Sequence, residues 1–135
     1  MVLHAAPLIR LRTTWIDPTA IRRAINNLLS NACRYAVTTI EIHLNYDAEQ
    51  DQWVIDVCDD GPGVPPEHRE QIFNPFVQLD NASRTQEAGH GLGLAISQQI
   101  AHWHHGQLTV SDSLMGGACF TFRWPCHLQL LPVSN

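Results

Sequence analysis

Polar side chains and glycines that can hold a phosphorylated ligand occur in three short segments of the sequence. Residues 27–35 contain Asn27 and Asn31, which are four apart and therefore neighbours on one face of a helix. Residues 59–63, Asp-Asp-Gly-Pro-Gly, place a carboxylate in a glycine turn, and residues 89–94, Gly-His-Gly-Leu-Gly-Leu, form a glycine-rich loop that runs into a helix. Amide oxygens suit Mg²⁺, a carboxylate accepts hydrogen bonds from an amine, and N–H groups at a helix start bind anions. Together these segments predict a site for a nucleotide and its magnesium ion.

Hydrophobic periodicity and cap residues indicate the first helix. Asp17 followed by Pro18 is a typical helix start, because aspartate caps free N–H groups and proline fits the first helical position. We expect this helix to continue to about Tyr35 and to bury an apolar stripe. The stripe consists of Ile21, Ile25, Leu28, Leu29 and Ala32. Asn27 and Asn31 lie on a different stripe, so they can address a ligand while the helix packs on the core.

Strands are predicted on both sides of this helix. Residues 8–14 alternate loosely and predict a strand. Residues 39–45 and 53–58 predict an antiparallel hairpin around a polar turn, and its second strand delivers Asp59 to the strand end. After it, residues 65–72 predict a short helix opened by two prolines.

The last part of the chain predicts one more helix and one more hairpin. Helical spacing runs over residues 92–104, with Gly106 as the expected C-cap. Residues 108–110 and 118–124 predict strands joined around the glycine pair at 116–117. The predicted fold class is therefore α/β (α+β), a two-layer sandwich whose mostly antiparallel sheet is covered on one face by helices.

Composition limits the possible functions. A length of 135 residues fits one domain, and a net charge of −5 with a pI near 5.8 argues against a nucleic-acid surface. All eight cationic residues are arginines, so a phosphate loop built on lysine is excluded. The chain shows neither a signal peptide nor an apolar stretch long enough to span a membrane. The four cysteines form no CxxC pair, and we expect the reduced thiols of a cytoplasmic domain.

The three segments resemble the N, G1 and G2 boxes of the ATP-binding catalytic domain of bacterial sensor histidine kinases. Residues 72–76, Ile-Phe-Asn-Pro-Phe, resemble the F box of that family. The family belongs to the GHKL superfamily, which includes gyrase, Hsp90 and MutL. The resemblance covers about residues 14–125. It implies a Bergerat fold with a flexible ATP lid, formed by residues 1–135 as a single domain, and ATP and Mg²⁺ as cofactors.

The resemblance gives the N-box residues their roles. It implies that Asn31 ligates Mg²⁺, that Asn27 lies beside the phosphates or a metal-bound water, that Arg34 reaches a phosphate and that Tyr35 packs near the nucleoside. Relatives that hydrolyse ATP carry a glutamate at the Asn27 position, which activates water. A histidine acceptor, with an imidazole pKa of about 6.5, already offers a lone pair at neutral pH. Transfer to histidine is therefore favoured over hydrolysis, with Asn27 and Arg34 as the catalytic residues.

In the G1 box, the resemblance assigns recognition of the adenine amine to Asp59 and not to Asp60. A carboxylate accepts from that amine, whereas guanine presents a carbonyl at the same position. Gly61 and Gly63 allow the backbone to approach the base.

The F box and the lid follow in sequence. Phe73 and Phe76 are expected at the nucleotide site, although both can equally be core aromatics. Residues 78–88 are polar and irregular and resemble the ATP lid. Many family members have an arginine where this chain has Gln78, and Arg84 in the lid is the candidate that supplies this charge.

The G2 box is expected to bind the phosphates through its backbone and the helix dipole. Its residues are Gly89, His90, Gly91, Leu92, Gly93 and Leu94. His90 replaces a threonine or a small residue, so it either contacts phosphate or faces solvent. The His-Trp-His-His run at 102–105 suggests a metal site, but its spacing and its place at a helix end favour a structural role.

No segment shows the pattern of a phosphoacceptor histidine. The resemblance therefore implies that a separate helical dimerisation domain supplies that histidine in trans, with a response regulator as an indirect partner and with no nucleic acid and no direct membrane contact. It also implies the cytoplasmic portion of an inner-membrane sensor kinase. Three alternatives stay open: an anti-sigma-type serine kinase, a hydrolysing ATPase of the gyrase or Hsp90 type, and a non-catalytic nucleotide-binding or interaction module.

Overall fold

The computed structural model describes residues 2–5, 16–75 and 90–126 of the chain. These residues form one sheet with helices packed on one of its faces. The elements are β1 (Val2–Ala5), α1 (Pro18–Tyr35), β2 (Ile40–Asp47), β3 (Gln52–Asp59), α2 (His90–Trp103), β4 (Gln107–Asp112) and β5 (Ala118–Pro125). The strand order is β1-β2-β3-β5-β4. β1 is parallel to β2, and every other pair is antiparallel. The predicted two-layer sandwich is therefore confirmed.

The start of α1 is the one that the sequence predicts. The Asp17 carboxylate accepts hydrogen bonds from the N–H groups of Thr19 and Ala20, at 3.1 and 3.2 Å, and proline occupies the first helical position. The buried stripe is slightly rotated from the prediction and consists of Ile21, Ala24, Leu28 and Ala32, with Ile25 and Leu29 at its margin. Among the described residues, no helix combines the length and hydrophobicity of a membrane span.

The sheet has one apolar face and one polar face. The apolar face lies against the helices and is centred on Val57 of β3 and on Phe120 and Phe122 of β5, all at most 1% exposed. On the opposite face, cross-strand polar pairs form instead, such as Thr121 with Asp56, at 2.6 Å. Only one face therefore contributes to the hydrophobic core.

Two elements of the structure differ from the predictions, and one predicted strand is not tested. The predicted strand over 8–14 lies outside the described residues, whereas β1 was not predicted because four residues carry too little periodicity. The helix predicted over 65–72 is replaced by two single 3₁₀ turns, Pro66–His68 and Gln71–Phe73. Each turn spans three residues, which is the usual length for this tighter helix.

The end of α2 also differs from the prediction. His105, and not Gly106, takes the left-handed conformation, with φ of 63°. The N–H of Gly106 then donates to the carbonyl of Ala101, at 2.8 Å. A Cβ atom on Gly106 would lie under 3.0 Å from the carbonyl oxygen of Arg123, so this glycine allows close packing of the helix end on β5.

The expectation of reduced thiols is wrong for two of the cysteines. Cys58 and Cys119 form a disulfide between β3 and β5. They are directly opposite each other in the strand register, although 61 residues separate them in the chain. Cys33 is an exposed thiol and Cys126 is a buried one.

Candidate nucleotide-binding site

The three segments that predict the site lie next to one another in the fold. The first lies on α1, the second follows β3 and the third opens α2. Asn27 donates a hydrogen bond from Nδ2 to the carbonyl oxygen of Gly93, at 3.2 Å. Gly61 approaches α1 so closely that a Cβ atom there would lie under 3.0 Å from the carbonyl oxygen of Tyr35. The helix α1 therefore contacts both of the other segments.

The exposed edge of α1 carries the two amides of the predicted metal site. Asn27 and Asn31 are half-buried and lie one helical turn apart. Asn27 uses its nitrogen on Gly93, and no donor among the described residues bonds to its Oδ1 atom, so that oxygen can bind a ligand. Mg²⁺ favours oxygen ligands and usually takes only one or two from a protein, so this pair fits the ion.

Two further contacts fix this edge of α1. The hydroxyl of Ser97, which is fully buried in α2, donates to the carbonyl oxygen of Ala24 at 2.9 Å. At the end of α1, the guanidinium of Arg34 lies 5.6 Å from the ring centroid of Tyr35. A cation over an aromatic face is attracted to it, so these two predicted site residues support each other.

Asp59 is a buried carboxylate at the end of β3, with 1% of its surface exposed. Its Oδ1 atom accepts hydrogen bonds from the N–H groups of Gly61, at 2.8 Å, and Ala118, at 3.2 Å. Within the described ranges, no protein donor reaches Oδ2. A buried carboxylate oxygen gains free energy from a donor, so Oδ2 is suited to an amine on a ligand. This geometry supports the assignment of Asp59 to adenine.

Gly117 is a site residue that the sequence did not reveal. A Cβ atom on Gly117 would lie under 3.0 Å from both Oδ1 and the backbone oxygen of Asp59. The sequence indicated only a glycine pair in a hairpin turn, yet one glycine is enough for the turn, since Gly116 has φ of +98° and an open surround. The presence of a second glycine, which the turn itself does not require, was the sequence feature that could have indicated a close contact at Gly117.

Asp60 does not share the surroundings of Asp59. Its carboxylate accepts hydrogen bonds from the loop that follows α1, including the Thr38 hydroxyl at 2.6 Å. Hydrogen bonds from the hydroxyl of Thr38, and then from the backbone N–H groups of Thr38 and Thr39, hold the pKa of Asp60 well below its ordinary value. Both oxygens of Asp60 are thus engaged by the protein, which supports the choice of Asp59 for the base.

The F-box and lid residues are placed only in part. Phe73 is buried and packs edge-on against Phe120, with ring centroids 6.2 Å apart, so it belongs to the core. Phe76, Arg84 and residues 78–88 lie outside the described residues.

The start of α2 holds most of the G2 box. His90 and Gly91 form the first turn of the helix, and Gly89 lies outside the described residues. Gly93 faces Asn27, and Leu94 packs against the core beside a partly exposed Leu92.

His104 has a structural role, since both of its ring nitrogens bond to backbone groups. Its Nδ1 atom donates to the carbonyl oxygen of Ile100 at 2.9 Å, and its Nε2 atom accepts from the N–H of Asp17 at 3.0 Å. These partners fix the neutral tautomer with the proton on Nδ1. Within the described part of the chain, no three histidine, cysteine or acidic side chains are grouped to hold a metal. His104 thus joins the end of α2 to the start of α1.

Comparison with known proteins identifies the family. Residues 16–128 match the family model described as "Histidine kinase-, DNA gyrase B-, and HSP90-like ATPase". The chain is 42% identical over 110 residues to Sensor protein RstB of Escherichia coli K12, covering 82% of this chain and 25% of RstB. It is 44% identical over 111 residues to Sensor histidine kinase CpxA of the same strain, covering 82% of this chain and 24% of CpxA.

Solved structures agree with the sequence relatives. The histidine kinase domain of the E. coli osmosensor EnvZ is similar at 32% identity and a TM-score of 0.62, covering 99% of this chain and 77% of that one. Full-length ShkA in complex with AMPPNP is similar at 31% identity and a TM-score of 0.70, covering 92% of this chain and 25% of that one. This chain spans about a quarter of the length of the curated relatives RstB and CpxA. It belongs to the family of histidine kinase-, DNA gyrase B- and HSP90-like ATPases, and the relatives that it resembles within that family are sensor histidine kinases.

Proposed function

We propose that this chain binds Mg²⁺ and ATP and transfers the γ-phosphoryl group to a histidine on a separate helical dimerisation domain. In this proposal the chain is the catalytic domain of a sensor kinase in two-component signalling, with a response regulator as the indirect partner. The proposal places it on the cytoplasmic side of an inner membrane, in a protein whose sensor and dimerisation domains lie elsewhere.

One observation carries the proposal: α1 contacts the other two segments of the site. Asn27 binds the start of α2 through Gly93, and Gly61 packs against the end of α1 at Tyr35. Three kinds of group therefore lie next to α1: a carboxylate suited to an amine, two amides suited to a metal, and a helix start suited to phosphate. Their spatial order matches that of the base, the bound metal ion and the phosphates in a metal–nucleotide complex.

The metal and the phosphates have candidate partners in these residues. Asn31 would ligate Mg²⁺, with Oδ1 of Asn27 directed to a metal-bound water or a phosphate. The bound ion supplies positive charge that offsets the charge on the phosphates. Arg34 supplies further positive charge, and the N–H groups at the start of α2 add the positive end of the helix dipole.

The proposed reaction needs positioning more than a protein base. An imidazole nitrogen of the acceptor attacks the γ-phosphorus, the bond to the oxygen shared with the β-phosphate breaks, ADP leaves, and the imidazole loses its proton to solvent. Water as the nucleophile needs a general base, and an amide is not one. Asn27 also donates its N–H group to the carbonyl of Gly93. A carboxylate in place of this amide would instead put an oxygen against the carbonyl oxygen of Gly93. Hydrolysis is therefore disfavoured at this site.

The test is a transfer assay with ATP labelled on the γ-phosphate. Alone, the chain should bind ATP and acquire no label. With its dimerisation domain added, the partner should acquire an acid-labile, base-stable phosphoryl group, as expected for phosphohistidine. Asp59→Asn should abolish the transfer, because it changes the group assigned to the adenine amine.

Other outcomes would favour the alternatives. Label on a serine of the partner would identify an anti-sigma-type serine kinase. Steady phosphate release without an acceptor would identify an ATPase. Nucleotide binding without any transfer to the dimerisation domain would leave a binding module and contradict the proposal.

A further inference from the structure

Asp60 makes an unusually dense set of hydrogen bonds to one loop. Its carboxylate accepts from three consecutive backbone N–H groups, those of Val37 at 2.8 Å, Thr38 at 3.0 Å and Thr39 at 3.1 Å. The hydroxyl of Thr38 adds a fourth donor, at 2.6 Å. This loop joins the last residue of α1 to the first residue of β2.

These bonds differ from ordinary caps in their reach. The carboxylates of Asp17 and Asp47 bind N–H groups only two or three residues further along, which stabilises their own helix start or turn. Asp60 binds residues that are 21 to 23 positions earlier in the chain. It therefore joins two separate elements, the end of α1 and the end of β3.

Hydrophobic packing contributes little to holding this loop. Val37, its one large apolar side chain, is 75% exposed. The contact of Gly61 with the backbone of Tyr35 lies directly beside the loop, so it depends on the loop staying in place. Polar contacts from Asp60 thus link the end of α1 to the turn after β3.

We propose that Asp60 is a positioning residue for nucleotide binding: it sets the distance between the α1 residues on the phosphate side and the Asp59 carboxylate on the base side. The inference rests on the proposed function, because it assigns the two ends of one nucleotide to the two elements. Asp60 itself touches no part of the ligand. Its carboxylate acts through Tyr35 and the loop.

The test compares Asp60→Ala, Asp60→Asn and Asp59→Asn by calorimetric titration with non-hydrolysable ATP and GTP analogues. Asp60→Ala should weaken ATP-analogue binding about tenfold, since small misplacements of binding groups are costly, and leave the ratio of ATP to GTP affinity unchanged. Asp60→Asn keeps an oxygen acceptor for the three N–H groups and should stay within about threefold of the wild type. Asp59→Asn should lower that affinity ratio. Asp47→Ala is the matched control, because it removes a turn cap far from the site and should leave affinity unchanged.

Hydrogen exchange without nucleotide separates the loop from the ligand. Asp60→Ala should lose protection at the N–H groups of residues 37–39, whereas Asp47→Ala should not. If Asp60→Ala bound the ATP analogue as tightly as the wild type, this inference alone would be overturned. If Asp60→Ala changed the ATP to GTP ratio as Asp59→Asn does, Asp60 would be a base-reading residue and the inference would again fail. A wild type that bound neither analogue would overturn the proposed function, and this inference with it.

Discussion

The two ends of the site are built in different ways. At the base end, Asp59 is enclosed by backbone: Gly61 and Gly117 leave no space for even a Cβ atom beside their neighbours. At the phosphate end, α1 and α2 meet through single side-chain hydrogen bonds, from Asn27 to Gly93 at 3.2 Å and from Ser97 to Ala24 at 2.9 Å. A Cβ atom on Gly93 would make only an ordinary contact at 3.7 Å.

The difference indicates which end can adjust. Backbone that is packed too closely for any side chain cannot shift without moving whole strands, so the carboxylate has one position. A hydrogen bond made by a single side chain, such as that of Asn27, can lengthen or re-form at small cost, of the order of 1 kcal/mol for each bond. We therefore expect recognition of the base to be rigid and the phosphate end to be the adjustable part of the site.

The largest effect is expected at the phosphate end. Asn31→Ala should lower phosphotransfer by at least about 100-fold, because it removes the proposed metal ligand, and should abolish the Mg²⁺ dependence of nucleotide affinity. Asn26→Ala is the matched control, since Asn26 is exposed on the same helix and helical geometry places it on a different face from Asn27 and Asn31. Rates of transfer to the dimerisation domain and titrations with and without Mg²⁺ give the measurement. Equal rates for the two variants would remove Asn31 from the metal site.

A single methyl group should disturb the base end. Gly117→Ala should weaken ATP-analogue binding by about 30-fold or more, because its Cβ atom would displace the Asp59 carboxylate. Gly116→Ala has open space around it and should cost only backbone strain, about 1 kcal/mol, with little loss of affinity. Calorimetric titration and thermal unfolding of both variants decide this. Wild-type affinity in Gly117→Ala would show that the base end is not rigid.

Reduction of the disulfide should lower stability at the base end. Cys58 precedes Asp59 and Cys119 follows Ala118, so the bond joins the two strands next to the residues that position the carboxylate. Since it closes a span of 61 residues, its reduction should lower the free energy of unfolding by about 2 kcal/mol or more. Unfolding curves with and without dithiothreitol measure this. The double variant Cys58→Ser, Cys119→Ser should give the same unfolding curve in both conditions. Four reactive thiols in unreduced, denatured protein would contradict the pairing.

The smallest effect is expected at Gly93, where α1 and α2 meet. Gly93→Ala should leave the free energy of unfolding unchanged or raise it by up to about 1 kcal/mol, because alanine is the better helix former and the site has room for it. Gly61→Ala, in contrast, should be destabilising because its methyl group meets the backbone of Tyr35. Thermal unfolding without nucleotide compares the two. A clear loss of stability in Gly93→Ala would show that α1 and α2 are packed as closely as the base end.

Much of this arrangement can be predicted from local sequence. The cap at Asp17 and Pro18 sets the start of α1. Because the start is known, the residues that share a face with Asn27 and Asn31 are known as well. Asp59 follows a mostly apolar strand, residues 53–58, which places it at the end of a buried strand. These features depend on residues within a few positions of one another, and local chemistry is what a sequence shows most directly.

The missed features of the site depend on distant pairing. β3 lies beside β5, although β4 is the strand that follows β3 in the chain. No local pattern indicates this order. The roles of Gly117 and of the Cys58–Cys119 pair both follow from it. Asp60 has the same explanation, because its partners come from a loop that precedes the whole hairpin. The resemblance to a family indicated which residues bind, but it did not show which ones hold them in place.

The dependence of Asp59 on Ala118 also sets an order in time. These residues are 59 positions apart, and contacts between distant parts of a chain form slowly because a long loop must close first. α1 and the β2–β3 hairpin can form from local contacts while the carboxylate still lacks one of its donors. During synthesis the base end of the site is therefore completed only after β5 has left the ribosome, so affinity for the base is acquired late in folding.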